Sequence, residues 1–525
     1  MPVVRLDLRG WAAGFWIKMS ASAGDVRLQF QLLFWYGVIT VAMLITGMLL
    51  AANLYAIAFL LGAFGWLITL PYHAGISLVL STICFRAAFI IPFMPGRPYL
   101  WEVGALLAWT GVPLLLLLRK YPADTGYVIQ SNRWLFGGLI LYCLTLFATM
   151  FYRGVGLNVL GSSTGGGRLY AQQLLCAILP LLFVLVPLKE RTFVRLVLLQ
   201  LLLTGSFMVS ELAFSVAPGV ARPLLYFFEI STDAAFFELQ SMSFGIRRYQ
   251  SLGWFFSSFI YVLLILYRPR DFLGKRAFWL LPLIVGSYMI SLLSGSRTTA
   301  ALTPIMVVLL LWAQRFFDPR KMVLIGLSSL FILVFVYSQA ERFPLSVQRA
   351  VCILPGIKVS SQARYDAEGT WAMRRTLRQI GLRMVPDYLW MGRGFSVSLQ
   401  RVDSDRFDAA LEQHLRAGRF YNGSIGLLVN TGLVGFCGVL AFFYGATRLA
   451  GGVLARVRRL GAEDVATRAA LFIAVTWIVE VCFFLLVHGD SEMALRRFGL
   501  LAGLLLAAHR LVRQRDPQAR ENAPA

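Results

Sequence analysis

Apolar residues run along this chain in long blocks, and polar residues gather in the gaps between them. A helix that crosses the hydrocarbon core of a bilayer takes about 20 predominantly apolar residues. Blocks of that kind stand at approximately 32–52, 54–72, 74–95, 99–118, 134–151, 169–188, 192–213, 251–267, 277–294, 298–313, 321–338, 422–446, 469–487 and 497–511. The pattern predicts an all-α polytopic membrane protein of about 12–14 transmembrane helices. Two polar stretches, 214–250 and 339–420, are too long to be simple turns. The expected order is a segment 1–31, spans over 32–338, a large loop over 339–420, further spans over 421–511 and a cytoplasmic tail 512–525, with disorder expected over 513–525. No internal repeat is visible.

Inside the large loop the period changes. Met373, Leu377, Ile380 and Met384 recur at helical spacing, with Arg374, Arg375 and Arg378 beside them. This predicts an amphipathic helix carrying a row of guanidinium groups next to an apolar stripe. Pro386 is expected to end it, and Gly392 and Gly394 to turn the chain after it. A helix lying in the membrane interface would use lysine as readily as arginine. The row holds no lysine, and arginine is the side chain suited to bidentate phosphate contacts.

Composition supports a lipid solvent. The chain is 58% hydrophobic and 14% charged, with a mean hydropathy of +0.70, where soluble domains carry about 25% charged residues. The net charge of +23 comes from short clusters between spans, so nucleic acid is not the expected partner. Basic residues favour the cytoplasmic side of a membrane. With the N-terminus in the cytoplasm, Arg119–Lys120, Lys189–Arg191, 268–276, 315–321, 456–468 and the tail from Arg510 all fall on that side. The first apolar run is too long for a cleaved signal, so it is expected to be retained. The resulting topology is a multi-pass inner-membrane protein with both termini cytoplasmic and the large loop periplasmic. That loop carries thirteen Lys/Arg against eight Asp/Glu although it lies outside. Loops longer than about 60 residues escape the charge rule. An anion-binding surface would explain the excess, and so would a solvated cap.

Several chemistries are disfavoured. The six cysteines lie mostly in apolar runs, the four histidines have no metal-ligand spacing, and no phosphate-binding GxxxxGK[ST] loop occurs. No charge stands between Arg27 and Arg86, so the first external loop offers no carboxylate to a divalent metal. No metal and no cofactor are expected. Two short stretches remain. At Ser294–Arg297 an arginine follows a Gly-Ser turn between two spans. It either snorkels to the head groups or, with helix N-terminal amides, forms a phosphate site. At Tyr421–Asn422 a polar pair precedes a span, and alone it reads as an ordinary helix cap.

Taken together, three motifs resemble the O-antigen ligase/polymerase family of bacterial membrane proteins. "GSRTTAAL" is similar to the family's Gly-Ser-Arg turn. "TWAMRRTLRQIGLRMVPDYLWMGRGF" looks like its arginine-bearing loop helix. "YNGSIGLLVNTGLVGF" looks like its loop-exit motif and the Gly-rich step of the next span. The likeness covers roughly 280 to 445. It implies a metal-independent inverting glycosyltransferase that uses undecaprenyl-diphosphate-linked glycans. A polymerase would pass the glycan to another lipid-linked repeat, and a ligase to lipid A-core. The implied partners are the lipid-linked donor, a glycan or lipid acceptor, membrane lipids and other polysaccharide-assembly membrane proteins.

Residue by residue, the resemblance assigns Arg297, and Arg374 or Arg375, to the diphosphate. Ser296, Arg393 and Arg419 are further candidates for substrate binding. Tyr421 takes the position where the family carries histidine, and Asn422 matches the following asparagine. A tyrosine of pKa near 10 is a poor general base at neutral pH. This leaves Tyr421 to bond or stack on a sugar, and His414, Asp366 or Glu368 as alternative bases. The rival classes are a transporter of lipid-linked glycans and a non-catalytic scaffold. A transporter should carry ionisable groups near the midplane, and Arg86 and Glu480 are the main ones here.

Overall fold

The computed structural model describes residues 69–92, 97–156, 164–216, 226–229, 248–398 and 411–516 apart from residue 413. It adds scattered positions between 34 and 67 and residue 246. The segment 1–31, most of the first two expected spans, most of the 214–250 stretch, residues 399–410 and the end of the tail lie outside the described residues. The chain divides into two compact units, one of residues 1–72 and 113–120, the other of 73–112 and 121–525. The first contains helical positions in 62–69 and the turn Leu70–Tyr72. Everything below concerns the second.

The protein is an all-α polytopic membrane protein. Its helices are α1 (His73–Ile83), α2 (Leu100–Leu117), α3 (Thr125–Ser131), α4 (Arg133–Arg153), α5 (Gly167–Ala177), α6 (Leu179–Leu185), α7 (Glu190–Leu202) and α8 (Ser206–Val216). There follow α9 (Gln250–Leu266), α10 (Ala277–Leu292), α11 (Arg297–Ala313), α12 (Pro319–Gln339), α13 (Leu345–Val351), α14 (Ser361–Tyr388), α15 (Gly423–Leu460), α16 (Val465–Cys482) and α17 (Ala494–Arg515). Among the described residues, six helical stretches are long and apolar enough to cross a membrane, and four shorter apolar helices accompany them. The expected span 169–188 is two helices, α5 and α6, meeting at Ile178 just before Pro180. Proline has no N–H to continue the ladder and fits the first turn of a new helix.

The interior is packed around α15, α16 and α17. Trp477 of α16 is fully buried against Phe442 and Phe443 of α15 and Phe498 of α17, and its indole N–H donates to Thr447. α15 also lies hard against α4. A Cβ on Gly138 would stand 2.3 Å from the Phe442 backbone, and one on Gly445 2.3 Å from that of Leu135. Small residues at such crossings let helix backbones touch, which is how helices associate in lipid. Outward, Ile140, Leu144, Phe147 and Phe151 of α4 form an exposed apolar stripe at helical spacing, as lipid contact requires. The charges expected inside the spans are paired. Arg86 approaches Glu480 at 4.0 Å, and Arg497 closes on the same carboxylate.

The amphipathic helix forms, with two differences from the sequence expectation. α14 begins at Ser361 and runs through Pro386 to Tyr388. Ser360 caps its start, accepting from the Ala363 N–H at 3.3 Å. Near a helix end, Pro386 removes only the last rungs of the ladder, too little to stop it. The apolar stripe seats the helix: Leu377 is fully buried, and Gly381 lets Phe420 and Ile425 come close.

α15 is broken near its start. Gly432 adopts φ +70°, ψ −176° inside an otherwise helical run. The turn after α14 fills the break. The Arg393 N–H donates to Val429 O at 2.8 Å, Gly394 N–H to Asn430 O at 2.9 Å, and Leu433 N–H to Leu389 O at 2.5 Å. Gly392, with φ +67°, passes so near that a Cβ would meet Asn430 O at 2.4 Å. Unwound backbone at membrane depth persists only where protein satisfies it, and the loop does so here. A two-residue antiparallel pairing, Thr164–Gly165 with Val397–Ser398, ties the following segment down.

Candidate active site

The Gly-Ser-Arg turn forms the first half of the site. Ser296 caps α11, its hydroxyl accepting from the Thr299 N–H at 3.2 Å, so Arg297 is the first helical residue. Gly295 takes φ +61°, and its carbonyl accepts from the buried Arg349 of α13. Arg349 also pairs with Asp366 of α14 and donates to Thr370 at 3.2 Å. Arg248 closes on Asp366 from another side at 2.8 and 2.9 Å. Asp366 is therefore fixed between two guanidinium groups. It holds the turn against α14 and is not free to act as a base.

Arg297 points away from this clamp. Its guanidinium lies 5.6 Å from the Trp371 ring centroid and pairs with no carboxylate among the described residues. It lines a cavity of about 700 Å³ together with Trp371, Arg364, Glu368 and Arg375. Arg375 is exposed and likewise unpaired among the described residues. Arg374, its neighbour on α14, is not among the residues lining this cavity. Its guanidinium stands 5.0 Å over the Tyr421 ring. Arg297 and Arg374 are near enough for their charges to repel one another. Burial lowers the Arg374 pKa, and Arg349 and Arg378 push the same way while Tyr421 opposes them.

Tyr421 is the centre of the second half. It holds φ +52°, a conformation uncommon for a residue with a side chain. Both sides of its backbone are fixed. Arg378 donates to its carbonyl at 3.0 Å and also to that of Val487, and its own N–H donates to Asp490 at 3.1 Å. The ring is stacked on His488, centroids 5.3 Å apart and planes 13° apart. His414 meets it edge-on at 5.3 Å, with the phenolic oxygen 3.4 Å from the imidazole nitrogens. The His488 Nδ1 is buried without a hydrogen-bond partner.

These groups are electrostatically unusual. Burial, and behind it the Arg374, Arg378 and Arg497 guanidinium groups, hold His488 down at about 4. His414 is lowered too, by burial and then by Arg419 and Arg374. Asp490 is pushed up to about 6 by burial and Glu492, against the pull of the Tyr421 N–H, Arg419 and Arg374. Near neutral pH both imidazoles are thus uncharged proton acceptors beside a guanidinium that has no carboxylate in ion-pair contact among the described residues.

The other sequence candidates have structural partners. Asn422 caps α15, its side-chain oxygen accepting from the Ile425 N–H at 3.0 Å. Arg393 donates to the carbonyls of Leu415 and Arg416. Arg419 pairs with Glu492 at 3.1 Å. Sequence reasoning missed His488 and Asp490. Their signal was the polar run "HGDSE" (488–492) between the last two spans, on the same side as the large loop.

Residues 282–440 match the family model described as O-antigen ligase. This segment is an O-antigen ligase-family domain. It coincides with the stretch that the three motifs mark out, from the Gly-Ser-Arg turn through α14 to the break in α15. No curated protein matches the chain. The family domain supplies Arg297, Arg374, Arg375, His414 and Tyr421, whereas His488 and Asp490 come from the chain beyond it. The site therefore depends on both.

Proposed function

We propose that the protein is a polysaccharide polymerase-like inverting glycosyltransferase. It would act on undecaprenyl-diphosphate-linked glycans on the periplasmic side of the inner membrane. The observation that carries this reading is a division among the loop-side arginines. Arg248, Arg349, Arg378, Arg393 and Arg419 are committed to carboxylates or carbonyls, while Arg297, Arg374 and Arg375 form no ion pair among the described residues. Three cations outside any ion pair, beside two aromatic rings, suit a diphosphate bonded to a sugar.

In the reaction an acceptor hydroxyl attacks the anomeric carbon from the face opposite the diphosphate. The new C–O bond forms as the old one breaks, and the diphosphate leaves with the bonding electrons. Arg297, Arg374 and Arg375 stabilise the charge that grows on it. The acceptor's proton passes to the Tyr421 cluster, with His488 or His414 as the receiving imidazole. An imidazole held near 4 is a weak base in the empty site. Burial is the larger cause of that low value and stays, but a diphosphate placed on Arg374 offsets the guanidinium contribution, so donor binding shifts the pKa of the base upward.

The description of the matched family favours a second reading, transfer to lipid A-core by a ligase. Deleting the gene and running lipopolysaccharide and exopolysaccharide gels separates the two. Single-repeat glycan on intact core supports the polymerase, and loss of all capped core supports the ligase. Unchanged glycans in both gels would remove both readings and leave the transporter or scaffold.

A further inference from the structure

A second basic cavity lies at the far end of α15, away from Tyr421. It encloses about 490 Å³ between the ends of α4, α15 and α17, and its lining includes Tyr127, Trp134, Arg448, Arg456, His509 and Arg513. Arg448 lies 25 residues after Gly423. At 1.5 Å per residue that is at most about 38 Å, less what the break at Gly432 takes, against the roughly 30 Å of a hydrocarbon core. The cavity is thus at the opposite membrane boundary, the one the basic bias assigns to the cytoplasm.

Its charge is not balanced from within, since no described residue lining it is acidic. Arg448 lies 5.9 Å from the Tyr444 ring centroid and Arg513 5.2 Å from that of Tyr127, and neither has a carboxylate partner among the described residues. Arg456 donates to His509 Nε2 at 2.8 Å. That bond requires the imidazole to be neutral, with its proton on Nδ1. Among the described residues, Asp516 lies 3.6 Å from Arg456 and is shared with Arg459 at 3.1 Å. Three guanidinium groups therefore converge with a fraction of one counter-charge.

An apolar path leads from the cavity into the bilayer. Trp134 of α4 meets Tyr444 of α15 edge-on at 6.0 Å, and both are exposed. Leu141 lies one heptad beyond Trp134 on α4, Leu440 lies one turn from Tyr444 on α15, and both are exposed as well. A groove thus runs along the seam between α4 and α15 from the arginines toward the bilayer centre.

We propose that this cavity binds an anionic glycerophospholipid of the inner leaflet, its phosphate on Arg448, Arg456 and Arg513 and an acyl chain along the α4–α15 seam. A free phosphate ester shares the head-group chemistry but makes no use of the seam. The site is independent of the transfer reaction.

The test is native mass spectrometry of the full chain in detergent, titrated with phosphatidylglycerol and with phosphatidylcholine. The wild type should retain one phosphatidylglycerol and discriminate against phosphatidylcholine. The double variant Arg448→Gln/Arg513→Gln should bind it roughly 30-fold more weakly, since each basic group near a membrane surface contributes about tenfold or less. Arg458→Gln removes a charge from the same end, where Arg458 sits 4.4 Å over Trp312 outside the cavity, and should change nothing. Arg448→Lys/Arg513→Lys keeps the charge and should retain most binding, which separates lost binding from lost folding. Equal loss in Arg458→Gln, or full retention in the double Gln variant, overturns the site. Displacement of the lipid by an equal concentration of glycerol phosphate overturns the lipid in favour of a free phosphate ester.

Discussion

Two groups of arginines sit about two helical turns apart along α14 and follow opposite rules. Around Asp366 every charge is answered: Arg248 and Arg349 converge on one buried carboxylate, and Arg349 also holds the Gly295 carbonyl. Around Arg374 no carboxylate closes to an ion pair among the described residues. Its neighbours are the Tyr421 ring, two imidazoles that stay neutral near pH 7, the repelling Arg297, and Asp490, which acts on it without touching it. The first group costs little to keep folded and offers nothing to a ligand. The second is costly when empty and favours whatever anion enters it. Arginine count alone therefore does not locate an anion site, whereas arginine without a counter-charge does.

The sharpest way to break this contrast is to cut the clamp. Asp366→Ala takes the shared carboxylate from the guanidinium groups of Arg248 and Arg349, and breaking a buried ion pair typically costs about 3–5 kcal/mol. The expected outcome is a large fall in folded protein, read as membrane abundance and melting in detergent. Normal abundance together with lost glycan would move Asp366 into the chemistry and end the distinction. Arg297→Ala and Arg374→Ala should do the reverse. Each removes an electrostatic contact to the leaving group, and such contacts contribute on the order of 10²–10³ in rate. Long glycan chains should disappear while protein level stays normal. Full-length chains in both variants would sink the arginine assignment.

The two imidazoles offer the next test. General base catalysis contributes on the order of 10²–10⁴ in rate. His488→Gln and His414→Gln should therefore differ, since only the receiving imidazole loses that factor when chain formation is measured with purified protein. Equal and minor losses in both would remove the proton-acceptor role from the cluster. Tyr421→His is informative for the same reason, because it adds a third imidazole at a position already flanked by two.

Much of this was legible in the sequence. The apolar blocks mark the helices, because lipid demands about 20 apolar residues per crossing. The Arg374–Arg378 row was legible as a helix face, and Asn422 as a cap. What was not legible is which arginines are already engaged. Arg393 and Arg374 look equivalent as letters, but one is used up on the carbonyls of Leu415 and Arg416 and the other is not. That depends on how the loop returns to the membrane. The return is set by the break at Gly432, which the sequence shows as part of a Gly-rich step but not as a break in the helix. His488 was hidden for a related reason. It lies 67 residues from Tyr421 in sequence, and no periodicity connects them.

The smallest expected effect probes the second group without touching its arginines. Asp490 holds its proton to about pH 6, whereas the unfolded value is 3.8. A carboxyl raised on folding contributes stability that is present below about pH 4 and lost as the pH climbs through 6. Asp490→Asn keeps an oxygen for the Tyr421 N–H and never ionises. At pH 8 the variant should melt a few degrees higher than the wild type in detergent. The two curves should converge as the pH falls to about 4, where both side chains are neutral. A difference independent of pH would mean that Asp490 is already neutralised by Arg419 and Arg374. The cluster around Tyr421 would then be balanced in the same way as the clamp at Asp366.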